Sequence, residues 1–446
     1  MRKHIFSVAG VLLLIVVGVV VFLGWPDQAR VGFASVTGAR PAITAPREQT
    51  IPTVGVANAV GWSSTARPFP AAGLQVAAFA TGLQHPRWLY RLPNGDVLVA
   101  ESNSPPRPTH GLSDWVMGVL LRKAGAGAPS ANRITLLRDA DGDGVAETRT
   151  TFLTGLNSPY GMALVGDQLY IGDTDAVVRV PYTSGQTTIT AKPALVVKLS
   201  GGGNHWARNI VPAPDGTLFV SVGSSTNIAE NGIDAEQYRA NILQVDPARR
   251  TFRVYAAGLR NPNGMAYEPH SKALWTVVNE RDMLGSDIVP DYLTQVEFGD
   301  HFGWPWYYWG GYPDKRVEPK NEPLQQYSKH PDYAMGPHVA ALGLSFANDA
   351  KLSARFANGA FVGEHGSWNR KPLSGYKVVY VPFADNGFPA KGAKPVDVLT
   401  GFLDANGQAQ GRPVGVITDR TGALLVADDV GDRVWRVSAA RTVAAR

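Results

Sequence analysis

From residue 74 onward, short apolar runs alternate with polar turns rich in Gly and Pro, and no stretch sustains the spacing of a long amphipathic helix. The alternation recurs in units. Each opens on a Gly- or Pro-containing turn, passes through a short apolar run and a polar turn, and ends in a β-rich run. Copies occupy residues 82–101, 155–173, 203–223, 258–278, 340–364 (the weakest) and 411–428. Turns such as Asn94-Gly95 and Asp215-Gly216 read as hairpins joining the two runs of a copy. Residues 177–181 and 434–437 read as the next strand of their units. Sandwich strands recur every ~8–12 residues without a longer period. Here the units lie about 65 residues apart on average, a period that points to propeller blades. The chain is therefore read as all-β, a six-bladed β-propeller over residues 74–440, with a funnel at one end of its axis.

The N-terminus follows another pattern. Met1, Arg2, Lys3 and His4 precede an uncharged, almost wholly apolar run over residues 5–23, long enough to span a bilayer. Gly24-Trp25-Pro26-Asp27 is a poor signal-peptide cleavage site. Residues 1–24 are read as an uncleaved signal anchor with its basic end inside; cleavage near Ala34 is the alternative. Residues 25–73 show no sustained period and read as a linker with room for one short strand. The expectation is a periplasmic or otherwise extracytoplasmic propeller, anchored to the inner membrane by residues 5–24.

Composition narrows the chemistry. The 48 glycines and 32 prolines suit a fold of many turns. The absence of cysteine removes disulfides, thiolate metal sites, Fe–S clusters and Cys nucleophiles. A net charge of +5 without a basic stripe gives no nucleic-acid footprint. No phosphate-binding loop, dinucleotide fingerprint, nucleophile elbow or His-Glu-x-x-His is present, so nicotinamide, ATP and zinc-protease chemistry lack support.

In a propeller, residues far apart in sequence converge on the axis. Arg87, His205, Arg260 and Arg412 fall just before or within the first apolar run of their units. Such a ring suits an anionic, carboxylate-bearing ligand, since Arg pairs with carboxylates in bidentate fashion; the same side chains could instead bond turn carbonyls. His205 follows Gly201-Gly-Gly-Asn, where the backbone can approach a ligand closely, and a neutral imidazole there can take a hydroxyl proton. Asp139, Asp141, Asp143 and Glu147 resemble a shortened calcium loop, or a metal-free acidic turn. The aromatic run 302–312 reads either as a face for a sugar or flat cofactor, or as packing.

Several motifs together resemble the soluble quinoprotein glucose dehydrogenase and sorbosone dehydrogenase family over about residues 74–438. They are Gly203-Asn-His205-Trp, Val222-Gly-Ser-Ser-Thr-Asn227, Gly258-Leu-Arg-Asn-Pro-Asn-Gly264, Asn279-Glu-Arg-Asp282, Phe302-Gly-Trp-Pro305, Gly363-Glu-His-Gly-Ser-Trp-Asn-Arg370 and Gly411-Arg-Pro-Val-Gly415. The His365–Arg370 stretch brings the chain closer to the sorbosone branch. The resemblance implies pyrroloquinoline quinone (PQQ) lying flat at the funnel base with a Ca²⁺ ion. It implies His205 as general base for oxidation of a sugar, a sugar aldehyde or a related hydroxyl compound, with a cytochrome or quinone as electron acceptor. It implies cofactor contacts at Arg87, Asn227, Arg260, Asn261, His365, Arg370 and Arg412, and calcium held by main-chain carbonyls of Arg281 and Asp282. The glucose enzymes carry Arg before the Asn that matches Asn227. Thr226 stands here, which shifts polarisation of the quinone oxygen to another group, with Arg260 the candidate. A cofactor-free propeller binding a glycan or protein, and a calcium-dependent lactonase-like hydrolase, are the alternative functions.

Overall fold

The computed structural model describes residue 18, residues 26–106 and residues 111–440, and its six predicted units are six antiparallel sheets of four or more strands. The innermost strands are Pro86–Arg91, Met162–Val165, Ile210–Pro212, Asn261–Tyr267, Ala341–Phe346 and Pro413–Thr418. Each packs beside the next around a closed ring, the sixth against the first. The ring is sealed by the two ends of the propeller sequence. Leu74–Thr81 becomes the outermost strand of the sixth sheet, beside Arg433–Ala439, with Leu74 opposite Ala439.

Apart from the half-buried Gln168 that opens the one in the second blade, the second strands are buried along their whole length, as in Val97–Glu101, Leu218–Val222 and Leu424–Asp428. A strand covered on both faces by neighbouring blades has no polar side, so it reads as a continuous apolar run. The core accordingly lies between adjacent sheets: Trp88 and Leu98 of the first blade pack with Tyr160, Met162 and Ile171 of the second. Five of these strands end in a buried polar side chain: Glu101, Asp173, Asn279, Glu364 and Asp428. Asp428 shows what such a residue does. It accepts from Trp62 and Trp435 and from the backbone N–H groups of Arg412 and Gly431. The polar loops therefore gather at one end of the barrel, and the site lies there.

The structure departs from the sequence reading at a helix and in the linker, and it favours one of the two readings of the aromatic run. A helix, Leu112–Lys123, follows the second strand of the first blade, where no helix was expected. Its exposed face carries Trp115, Val116 and Val119, so no polar side marks it in the sequence. The aromatic run 302–312 is mostly packing: Phe302, Trp304, Tyr307, Tyr308 and Trp309 are buried beneath the fourth blade's long excursion. Residues 26–70, read as a linker, are hydrogen-bonded across the loop end, Gly55 to Trp368 and Val60 to Ala409; they contain the short strand Phe69–Pro70. The anchor expected at residues 1–24 lies, residue 18 apart, outside the described residues. No helix among the described residues is long and apolar enough to cross a membrane.

Candidate active site

A cavity of about 240 Å³ opens where the first, third, fourth and fifth blades meet at the loop end. Arg87, His205, Arg260, Asn261 and His365 all line it, so five predicted residues from four blades share one space. The sequence reading missed His338 and the side chains of Glu280, Asp282 and Asp291, which line it too.

His205 sits on the wall with its proton assigned. Its Nδ1 lies 2.8 Å from the Ser224 carbonyl and 3.0 Å from Ser224 Oγ, whose own hydrogen goes to the Thr226 carbonyl. A carbonyl only accepts, so Nδ1 carries the hydrogen and Nε2 is the ring's basic nitrogen. Gly223 lets this happen, since a Cβ there would stand 2.6 Å from the His205 Cβ.

On the same side lies an ion cluster. Asp282 receives Arg260 Nη2 at 3.0 Å and faces His338 Nδ1 at 3.3 Å. His338 Nε2 points at the carbonyls of Gly285 and Ile288, each at 3.1 Å. Acceptors at both nitrogens favour the protonated ring: burial would lower its pKa, yet Asp282 and the Gly285 carbonyl hold it above the usual histidine value. Burial would likewise raise Asp282, but His338, Arg260 and His205 pull it below the ordinary carboxylate range. Asp291 bridges the backbone N–H groups of Glu280 and Ala340 at 2.7 Å each, and burial pushes it up to about 7.

A second cluster centres on Asp429. Arg87 and His365 both donate to its Oδ2, and His85 Nε2 lies 3.6 Å away. Burial, reinforced by Arg412, pushes His365 down to about 3, so it is neutral with Nε2 donating to Asp429. Arg87 lies over Tyr160 and Trp206. Its buried Nε has no partner, nor has Asp429 Oδ1.

Several predicted contacts take other places. Arg370 bonds the Ser286 and Pro372 carbonyls and lies over Phe33, off the cavity lining. Arg412 braces the carbonyls of His365 and Gly366 from behind. An Arg that reaches a carbonyl and one that reaches a ligand look alike in sequence. Asn227 also lies off the lining, holding Arg260 with its Oδ1 at 2.9 Å and the Asp282 N–H with the same oxygen. Arg260 donates to the Asn227, Asn279 and Glu280 carbonyls, to Asn227 Oδ1 and to Asp282, which engages its five hydrogens. It supplies charge to the cavity rather than a spare donor for a quinone oxygen.

A tricarboxylate quinone fits this donor set: a buried, unpartnered Arg87 Nε, imidazoles on two walls and the flat face of Trp206. At the predicted calcium turn, Asp282 is not open to an ion. The Asp282 carbonyl accepts from Asn227 Nδ2 at 3.2 Å and Arg316 Nη1 at 3.0 Å, and its carboxylate is tied to two cations. At the other predicted site, Asp139, Asp141, Asp143 and Glu147 bring one oxygen each to within 4.8 Å of one another.

Comparisons place the fold and sequence among known proteins. An uncharacterized protein of Borreliella burgdorferi is 29% identical over 301 residues, covering 64% of this chain and 77% of that one. The holo form of the pyranose dehydrogenase PQQ domain from Coprinopsis cinerea superposes with a TM-score of 0.66 at 19% identity, covering 86% of this chain and all of that one. The calcium structure of Trichoderma reesei carbohydrate-active enzyme family AA12 superposes with a TM-score of 0.67 at 17% identity, covering 87% and 99% of the two chains. The TrAA12-like family model matches residues 128–297 and 286–440, and the chain belongs to that family.

Proposed function

We propose that this protein oxidises a sugar, sugar aldehyde or related small hydroxyl compound with PQQ bound in the axial cavity. Membership of the TrAA12-like family, and a PQQ domain among the folds it resembles, support the reading. The observation that carries it is the tautomer of His205: Nδ1 is bound to the Ser224 carbonyl, and Nε2 is the basic nitrogen at the cavity wall. When bound, PQQ supplies the two-electron acceptor that amino-acid side chains lack. His205 Nε2 takes the proton of the substrate hydroxyl or hydrated aldehyde. Asp282, held ionised by Arg260 and His338, favours the positive charge that His205 then acquires. Arg87 binds an anionic edge of the cofactor through its Nε and remaining guanidinium hydrogens.

The sorbosone-like substrate, a cytochrome or quinone as electron acceptor, and an extracytoplasmic location tethered by residues 5–24 complete the proposal. A calcium ion belongs in it at the 139–147 loop. The lactonase-like alternative needs several open carboxylates around a metal, whereas Asp282 is tied to cations and Asp291 to two backbone N–H groups, which leaves Glu280 Oε1 as the one unpartnered carboxylate oxygen of the lining.

The test is to add PQQ and CaCl₂ to the purified protein, record the quinone absorbance and follow dye reduction with aldoses, sorbosone and alcohols. A bound quinone band with substrate-dependent reduction is expected. No band and no reduction would leave the cofactor-free binding scaffold as the better reading.

A further inference from the structure

Two arginines behind His205 are unusual in their partners. Arg208 is fully buried and Arg239 is 6% exposed. Among the described residues, every hydrogen bond their guanidiniums donate goes to a main-chain carbonyl. Asp175 and Glu236 lie near enough to favour their charges, but burying a cation without a direct ion pair is costly. Burial pushes Arg208 down to about 9, and the neighbouring charge of Arg239 adds to the shift. A pair placed for stability alone would be better served by apolar side chains of the same volume.

The carbonyls they hold belong almost entirely to one segment. Arg208 Nη1 reaches the His205 carbonyl at 2.8 Å and that of Ala207 at 3.0 Å, while Nη2 reaches Ser200 at 2.9 Å. Arg239 Nη2 holds the Gly201 and Gly202 carbonyls. Three consecutive glycines give this segment little stiffness of its own. Its shape is imposed from outside. Gly203 has φ +76°, and a Cβ there would meet the Ser225 Cα at 2.5 Å. The Asn204 N–H is bound to the Ser225 carbonyl at 2.7 Å.

We propose that Arg208 and Arg239 are positioning residues: they clamp the carbonyls of residues 200–207 and so fix where His205 presents Nε2 to the cavity. The proposal rests on His205 being the base. The fork of Arg208 spans Ser200 and His205, which a point donor cannot do; Arg208→Lys keeps the charge and loses the span.

With PQQ-loaded protein, Arg208→Lys lowers kcat roughly 10- to 100-fold, since a displacement of about an ångström at a reacting group has effects of that size. KM and the amount of PQQ bound stay at wild-type values. Arg208→Met falls further, Arg239→Lys less, and Lys at 208 partly rescues Met. In cofactor-free protein, amide hydrogen exchange over residues 203–206 becomes faster in all three variants while the blade strands keep wild-type protection. Should Arg208→Met fail to fold, the two Lys variants carry the test. Wild-type turnover together with wild-type exchange in Arg208→Lys overturns the clamp. A wild-type protein that binds PQQ but reduces no dye overturns the oxidation reading instead, and the exchange experiment still decides the clamp.

Discussion

The two walls of the cavity are built differently. On the wall of His205, Arg260, Asp282 and His338, protein neighbours fix the protons of both imidazoles and engage every hydrogen of Arg260. On the wall of Arg87 and His365, backed by Asp429 behind the lining, two buried polar atoms are left over, Arg87 Nε and Asp429 Oδ1, against Glu280 Oε1 beside the first wall. A buried donor or acceptor without a partner costs about 1–3 kcal/mol, so a ligand that reached Arg87 Nε would relieve that cost on the second wall. The first wall is set for proton chemistry before any ligand arrives. The difference separates turnover from cofactor retention, and substitutions should divide along it.

The largest effect falls on the first wall. His205→Ala is expected to lose roughly 10²–10⁴-fold in turnover, as for a missing general base, while its PQQ content, read from the quinone band, stays at the wild-type level. Unchanged turnover would remove His205 from the mechanism and dissolve the distinction between the walls.

His338→Gln probes how that wall is held in the absence of cofactor. The folded pKa of His338 lies above 6.5, so its stabilisation is whole below that pH and is lost as pH rises through the folded value. Asp282 is depressed below 3.8, so its share is whole above that pH and is lost on acidification. Breaking a buried pair of this kind costs about 3–5 kcal/mol. The Tm gap between wild type and His338→Gln is therefore greatest at about pH 5–6 and narrows toward pH 9. A gap independent of pH would mean that the ring is neutral.

On the second wall, Arg87→Met should weaken PQQ binding roughly 10- to 100-fold, the size of one lost charge-assisted hydrogen bond, with kcat at saturating PQQ close to wild type. Titration of the quinone band measures it. A fall in kcat at full occupancy would show that both walls share the chemistry.

Much of this was legible in the sequence where the signal was local or repeated. The blades follow from the period, and Arg87, His205 and Arg260 from their common place in it. His338 occupies the same place in the fifth unit, three residues before the strand Ala341–Phe346, but that unit was the weakest copy and its boundary was set too late to include it. The proton assignments were not legible, because carbonyls make them: Ser224 lies 19 residues from His205, and Gly285 and Ile288 lie 53 and 50 residues from His338. Main-chain partners leave no mark in residue identity. The carbonyl partners of Arg370 and Arg412 were hidden for the same reason.

The smallest expected effect lies outside both walls. The carboxylates of Asp139, Asp141, Asp143 and Glu147 already accept backbone N–H groups from residues 140–145, so the loop keeps its shape without an ion and calcium adds little. A site of Kd ~10⁻⁴–10⁻³ M gives about 1–3 kcal/mol at ~10 mM calcium, a Tm rise of a few degrees that a double variant, Asp141→Asn with Asp143→Asn, should lack. The same variant should bind PQQ and turn over as wild type does, because neither wall touches the loop. Suppose instead that PQQ loading needs calcium equally in both proteins. Calcium would then act at the cavity, the Asp282 carbonyl would have to exchange Asn227 and Arg316 for the ion, and the first wall would be finished only when the cofactor arrives.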